Sequence, residues 1–348
     1  KKTETIDVMD AVGSNIRGDT YGWKVKRILP RLNEDINEEW ISDKSRYACD
    51  GLLNQRLDTP YIKHNGKLNS SDWNDALNES LSLIKNHKPD EVAFIIGDFI
   101  DLETSYLIKK LSNGLNVKNI ECRQEGVKLP YSDRSQYIFN STINGIEESD
   151  CILILGSNVR EEAPIINTRI RKHLLNRDIP IGLIGEKFDL TYDYQHLGND
   201  LNILKSISDG DNSFCKKLEK AKKPMIIIGQ SVLNRDDSLN TYSLIENIVH
   251  EYPFLESSWN GVNTLQLSAS RVGALDMGCY QSSKSLQDIY SAAENGKIKL
   301  LFSFGADEID FSKFKSTKII YMGSHGDRGA SNADVILPSA AYTEKDGI

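Results

Sequence analysis

The sequence predicts an α/β protein in which a small, irregular, β-containing amino-terminal segment precedes two doubly wound α/β domains. Three observations carry this. From residue 91 onward, short apolar runs of strand length alternate with segments of helical periodicity, the pattern of βαβ units whose parallel strands are buried on both faces. Several of those runs end in glycine-bearing loops, as strands of open α/β sheets do where the chain turns into a helix. The first 57 residues show neither pattern.

In chain order, residues 1–57 hold β-prone pieces such as KVKRIL (24–29) and read as a loop-rich, partly β unit. In SSDWNDALNESLSLIK (70–85), Trp73, Leu77, Leu81 and Ile84 recur at three- and four-residue steps. Behind Ser70 or Ser71 as N-cap, this predicts an amphipathic helix. EVAFIIG (91–97), a helix near 102–113, DCILILGSN (150–158), a helix near 163–175 and IPIGLIGE (179–186) follow. The series resumes with KKPMIIIGQ (222–230), a helix near 239–250, KIKLLFSFGAD (297–307), STKIIYMGS (316–324) and ADVILP (333–338). A charged stretch, FCKKLEKAKKP (214–224), separates the two series and marks a boundary. The domains are expected to be 1–57, 58–120 plus 223–348, and an inserted 121–222.

Of 348 residues, 39% are hydrophobic and 26% charged, the composition of a globular protein. A net charge of −8 without a basic block argues against nucleic acid as a partner. The apolar runs are far shorter than the roughly 20 residues of a membrane-spanning helix. Five cysteines (49, 122, 151, 215 and 279) without a C-x-x-C pair indicate neither a disulfide framework nor a zinc ribbon, and fit a reducing compartment. Six scattered histidines lack metal spacing, and neither H-E-x-x-H nor G-x-S-x-G occurs. The start, KKTETIDVMD, has no hydrophobic signal core, and reads as the inside of a longer protein or one whose leader is gone.

The loops GSN (156–158), GE (185–186), GQS (229–231) and GAD (305–307) fall at the strand ends where α/β sheets bind ligands, but none completes G-x-G-x-x-G or a P-loop. A second pattern is more specific. Asp7, Asp10, Ser14 and Ser42 trace the spacing C-x2-C-x3-C-x27-C with oxygens in place of sulfur. An iron–sulfur cubane requires thiolates, and Cys49, seven positions past Ser42, offers only one. Calcium or magnesium would need several more convergent oxygens, so Asp7 and Asp10 are expected to be surface carboxylates.

Three segments, TETIDVMDAVGSNI…RILPRLNEDINEEWISDKSRYACDGL, STINGIEESDCILILGSNVREEAPIINTRIRKH and ASNADVILPSAAYTEKDGI, resemble the carboxyl-terminal part of the large iron–sulfur subunit (the 75 kDa type) of respiratory complex I, NADH:ubiquinone oxidoreductase. That family is itself similar to molybdopterin oxidoreductases such as formate dehydrogenase, and the resemblance implies their fold. It makes 1–57 a degenerate [4Fe–4S] domain with Asp7, Asp10, Ser14 and Ser42 at the former ligand positions. It makes Gly156, Ser157, Asn158 and Arg123 vestiges of a pterin site, with Glu125 where active relatives place the metal-binding cysteine or selenocysteine. The implied role is a structural module without catalytic residue, cofactor or metal of its own, within a complex that passes electrons from NADH to ubiquinone and translocates protons. Iron–sulfur clusters are then expected in a preceding amino-terminal region or in partner subunits, namely the flavoprotein and quinone-module subunits of the hydrophilic arm. The implied location is peripheral, on the matrix side of the mitochondrial inner membrane or the cytoplasmic face of a bacterial one. The alternative is an active molybdopterin-dependent oxidoreductase of the formate dehydrogenase type.

Overall fold

The computed structural model describes residues 1–348, which form two compact units, each discontinuous in sequence. One comprises Lys1–Cys49 with Val127–Ala269, the other Asp50–Gly126 with Ser270–Ile348.

The first unit opens with a three-stranded antiparallel sheet, Lys2–Ile6, Asn15–Tyr21 and Lys24–Pro30, which contains the β-prone piece 24–29 and is the β part expected of this segment. Its inward row includes Ile16 and Ile28, both buried. Asn37 fastens the chain after this sheet: its side chain accepts from Asn15 N (2.8 Å) and donates to Trp40 O (3.0 Å). The larger part of the unit is a fully parallel sheet in the order Gln195–Gly198, Ile181–Ile184, Cys151–Leu155, Pro224–Ile228, Val262–Thr264. Strand order reverses between Cys151–Leu155 and Pro224–Ile228, which makes their carboxyl ends the switch point. Ile152, Ile154, Leu183 and Ile227 pack with Ile165, Ile166 and Ile170 of the helix Pro164–Asn176, whose proline occupies the first turn.

This topology moves the expected boundaries. The apolar run at 224–228 is hydrogen-bonded to Cys151–Leu155 along its whole length and cannot begin another domain. The inserted segment therefore runs from Val127 to Ala269, and FCKKLEKAKKP is a short helix, Cys215–Lys220, whose Phe214 and Leu218 enter the core.

The second unit holds a seven-stranded sheet in the order Lys67–Ser70, Tyr61–His64, Val335–Pro338, Lys318–Gly323, Leu300–Phe304, Val92–Ile96, Asn119–Glu121. The last five are parallel, and Tyr61–His64 joins them antiparallel as one arm of a hairpin. Here the switch point lies between Val92–Ile96 and Leu300–Phe304. Ala93, Ile95, Leu301 and Ile319 face Leu286, Ile289 and Phe314 on one side. On the same strands the alternate residues Phe94, Phe302 and Phe304 pack edge-on at 5.1 and 5.5 Å.

The amphipathic helix is Trp73–Lys85, but Asp72 caps it, accepting from Asp75 N at 2.9 Å, rather than Ser70 or Ser71. Its buried positions are Ala76 and Ser80, whereas Trp73, Leu77 and Leu81 remain about half exposed. The buried side of this helix is thus lined by small residues, and the leucine stripe lies on its outer side.

Candidate functional site

The four positions with cluster spacing lie in the first unit. Asp7 N donates to Ser14 O (2.8 Å) across the loop, and Asp10 Oδ1 accepts from Val12 N (2.9 Å). Ser42 caps the helix Asp43–Tyr47 by accepting from Ser45 N at 3.0 Å. The hydroxyls of Ser42 and Ser45 are 2.8 Å apart, and Ser45 Oγ donates to Asp7 Oδ2 at 2.5 Å. Thus Ser45, which lies outside the cluster spacing, connects Ser42 to Asp7. Its only signal in the sequence is its place three residues after an N-cap.

Asp7 and Asp10 are not surface carboxylates: they are 2% and 5% exposed, and Ser14 and Ser42 are buried as well. Burial raises the pKa of Asp10 to about 6, against a single backbone hydrogen bond, and the neighbouring Asp7 adds to the rise. Burial also raises Asp7, which the Ser45 hydroxyl and the amides of Met9 and Val8 partly restrain. Ser14 Oγ is buried without a hydrogen-bond partner.

At the first unit's switch point the strand-end loops press on each other. A Cβ at Gly229 would sit 2.3 Å from Gly156 O, and Ser231 Oγ donates to that same oxygen at 2.5 Å. The amides of Gly156 and Gly229 are committed to Ile184 O and Leu155 O, both at 2.8 Å, so neither is aimed at a ligand. Ser157 Oγ donates to Glu162 Oε2 (2.7 Å) and Asn158 N to Glu162 Oε1 (3.2 Å). Asn158 Oδ1 and Gln230 Oε1 are buried there without a protein partner.

Arg123 and Glu125 lie in the second unit. Arg123 grips Glu121 with Nε (2.7 Å) and Nη2 (2.6 Å), both residues being buried, and Nη2 also donates to Gln281 O and Lys284 O. Glu125 is paired with the buried Arg271, whose Nη2 reaches Glu125 Oε1 at 3.1 Å and Asp98 Oδ1 at 3.0 Å. Gln124 Nε2 completes the group by donating to Asp98 Oδ1 (2.8 Å). Burial pushes the Cys122 thiol far above its ordinary range, away from metal-binding or nucleophilic character. Asp98 and Arg271 were invisible in the sequence because only folding brings positions 98, 125 and 271 together.

The sequence profile of the molybdopterin oxidoreductase family matches residues 56–348. The chain belongs to this family. Residues 1–50 match a second profile, the NADH-ubiquinone oxidoreductase NDSU1/NuoG-like 4Fe-4S domain. Among curated relatives, the chain is 44% identical over its whole length to the G-type subunit of the NADH-quinone oxidoreductase of Rickettsia felis, covering 50% of that protein. It is 43% identical to the NADH-ubiquinone oxidoreductase 75 kDa subunit of Reclinomonas americana, over 99% of this chain and 52% of that protein. The mitochondrial 78 kDa subunit of Neurospora crassa is likewise 43% identical, over 100% and 47%. The chain spans about half the length of the relatives it matches. Among solved structures, acetylene hydratase from Pelobacter acetylenicus aligns with a TM-score of 0.58 at 10% identity, over 99% of this chain and 64% of that one. A chain of the formyltransferase/hydrolase complex from Methylorubrum extorquens aligns at 0.56 and 12%, over 80% and 86%. These two likenesses bear on the fold alone.

Within the molybdopterin oxidoreductase family, this chain's residues do not fit the metal groups that the family's fold implies. At the cluster spacing stand two carboxylates and two hydroxyls, hard donors on soft iron sites, engaged mostly with the protein's own amides and hydroxyls. The one thiol in the matched segment, Cys49, directs its Sγ to Arg46 O at 3.6 Å. Glu125, for its part, is engaged by the buried guanidinium of Arg271, which it shares with Asp98. No group of three or more histidine, cysteine, aspartate or glutamate side chains is arranged to hold a metal ion.

Proposed function

We propose that this chain is a structural module of the large iron–sulfur subunit of NADH:quinone oxidoreductase, carrying no catalytic residue and no redox centre of its own. It supports transfer of electrons from NADH to quinone, coupled to proton translocation, by holding a cluster-bearing region and neighbouring hydrophilic-arm subunits in place. The observation that carries this reading is the Glu125–Arg271 pair: a carboxylate at the position the resemblance assigns to the metal ligand, already engaged by a buried guanidinium of the same chain. The Ser42–Ser45–Asp7 chain of hydrogen bonds supports it at the other ancestral site. Cluster ligands would then belong to a preceding region or to the flavoprotein and quinone-module subunits. A peripheral position, on the matrix side of the mitochondrial inner membrane or the cytoplasmic face of a bacterial one, accords with the absence of any helix long and apolar enough to cross a membrane.

Elemental analysis of the assembled complex tests this. The expected result is no molybdenum or tungsten, and an iron content accounted for without a cluster on this chain. Stoichiometric molybdenum or tungsten bound here would instead establish an active oxidoreductase of the formate dehydrogenase type.

A further inference from the structure

The first sheet of the chain carries a side-chain arrangement that the fold does not use. Asn15–Tyr21 and Lys24–Pro30 are joined by the two-residue turn Gly22–Trp23, with glycine at the first position (φ +58°), as tight hairpins of type II′ require. Trp23 at its tip is 99% exposed, and Tyr21, on the other side of Gly22, is 81% exposed. Neither ring stabilises the folded chain at those exposures, although a tryptophan is the side chain that most rewards burial.

Charge around the tip is one-sided. Of the four carboxylates in the first 31 residues, Asp7 and Asp10 are buried. Asp19 is held by Arg17 and Arg27, each at 2.9 Å, and Glu4 by Arg31 at 3.5 Å. Lys2, Lys24 and Lys26 are exposed and form no ion pair. A basic surface thus stands on a chain whose net charge is −8, so its field favours an acidic counterpart.

We propose that the Asn15–Pro30 hairpin is a docking element that seats Trp23 and Tyr21 in an apolar pocket rimmed by acidic side chains on another protein subunit. An exposed Trp–Tyr pair beside unpaired lysines has the composition of an interface anchor and its steering charges. A lipid surface is the poorer match, since two rings bury too little apolar area for stable attachment. The proposal rests on the reading of this chain as part of a larger assembly.

The test uses the assembled complex, with a photo-crosslinking phenylalanine analogue replacing Trp23 and, separately, Trp23→Ala and Lys24→Glu/Lys26→Glu variants. The expected crosslink is to a peptide of a different subunit that contains aspartate or glutamate, identified by mass spectrometry. Both sets of substitutions should speed loss of this chain from the complex by about tenfold at low salt, an effect that raised salt diminishes for the lysine reversals and leaves in place for Trp23→Ala, with its thermal unfolding unchanged because Trp23 touches little of the fold. Crosslinks to lipid, to a second copy of this chain or to another region of its own polypeptide, or variants retained like the wild type, overturn the proposal. If the wild-type chain does not co-purify with the complex at all, the reading of the chain as a complex component has itself failed, which is a different outcome.

Discussion

Arg169 Nη1 lies 2.6 Å from Glu147 Oε1, and the same buried guanidinium donates through Nε to Ile36 O at 3.1 Å. Arg169 also reaches Glu34 O and pairs with Glu38, so one side chain on the helix Pro164–Asn176 holds the segment 34–38 against the parallel-sheet part of its unit. Arg169→Ala would leave the carbonyls of Glu34 and Ile36 without their donor and Glu38 and Glu147 with Lys172 as their remaining cation, at a cost of about 2 kcal/mol. Urea unfolding should show the loss in the transition of that unit. An unchanged midpoint would mean the segment is held by Asn37 and apolar contacts instead.

Stability should fall as pH rises through the titration of Asp10. Its folded pKa, about 6, lies above the ordinary 3.8, so the folded state holds the proton more tightly. The penalty is absent below about pH 4, grows between 4 and 6, and is complete above, where proton linkage puts it at about 3 kcal/mol. Asp10→Asn can still accept from Val12 N, and is expected to raise the melting temperature above pH 6 and to flatten the pH profile. Asp7, raised in the same direction, leaves a residual slope. A variant that melts at the wild-type temperature at pH 8 would refute the assignment.

Glu125 and Arg271 should behave as a coupled pair. Arg271→Met leaves Glu125 and Asp98 facing each other without the cation, costing about 3 kcal/mol, while Glu125→Gln alone costs less because Asp98 remains as partner. A double-mutant cycle is expected to give a coupling of about 2 kcal/mol. Strict additivity would show the pair to be incidental.

Cys49→Ser should leave every EPR-detectable centre of the assembled complex in place, since Cys49 is the one thiol in residues 1–50 and a cubane needs four. Disappearance of one centre in that variant would assign Cys49 a cluster.

The strands were legible because buried parallel strands are continuous apolar runs: CILIL and PMIII are recognisable without any partner. Which sheet each joins was not. Pairing of Pro224–Ile228 with Cys151–Leu155 is a non-local choice, and a charged stretch between two apolar series looks the same whether it joins domains or lies within one. The Asp7/Asp10/Ser14/Ser42 spacing was also legible, but not its burial, because aspartates are ordinarily exposed and these are enclosed by elements distant in sequence. Arg271 carried no local signal. The outward turn of Leu77 and Leu81 was hidden because periodicity reveals an apolar stripe without showing which side meets the sheet.

The interleaving of the two units has a consequence for the order in which the chain matures on the ribosome. Val92–Ile96 bonds on one side to Asn119–Glu121 and on the other to Leu300–Phe304. The latter emerges about 200 residues later, roughly 10–40 s at ordinary rates of synthesis. Throughout that interval a strand rich in Phe and Ile has an open hydrogen-bonding edge, while the intervening Val127–Ala269 can already close its own sheet. The half-made second unit is thus the vulnerable species, the one that a chaperone would have to shield until Ser270–Ile348 arrives.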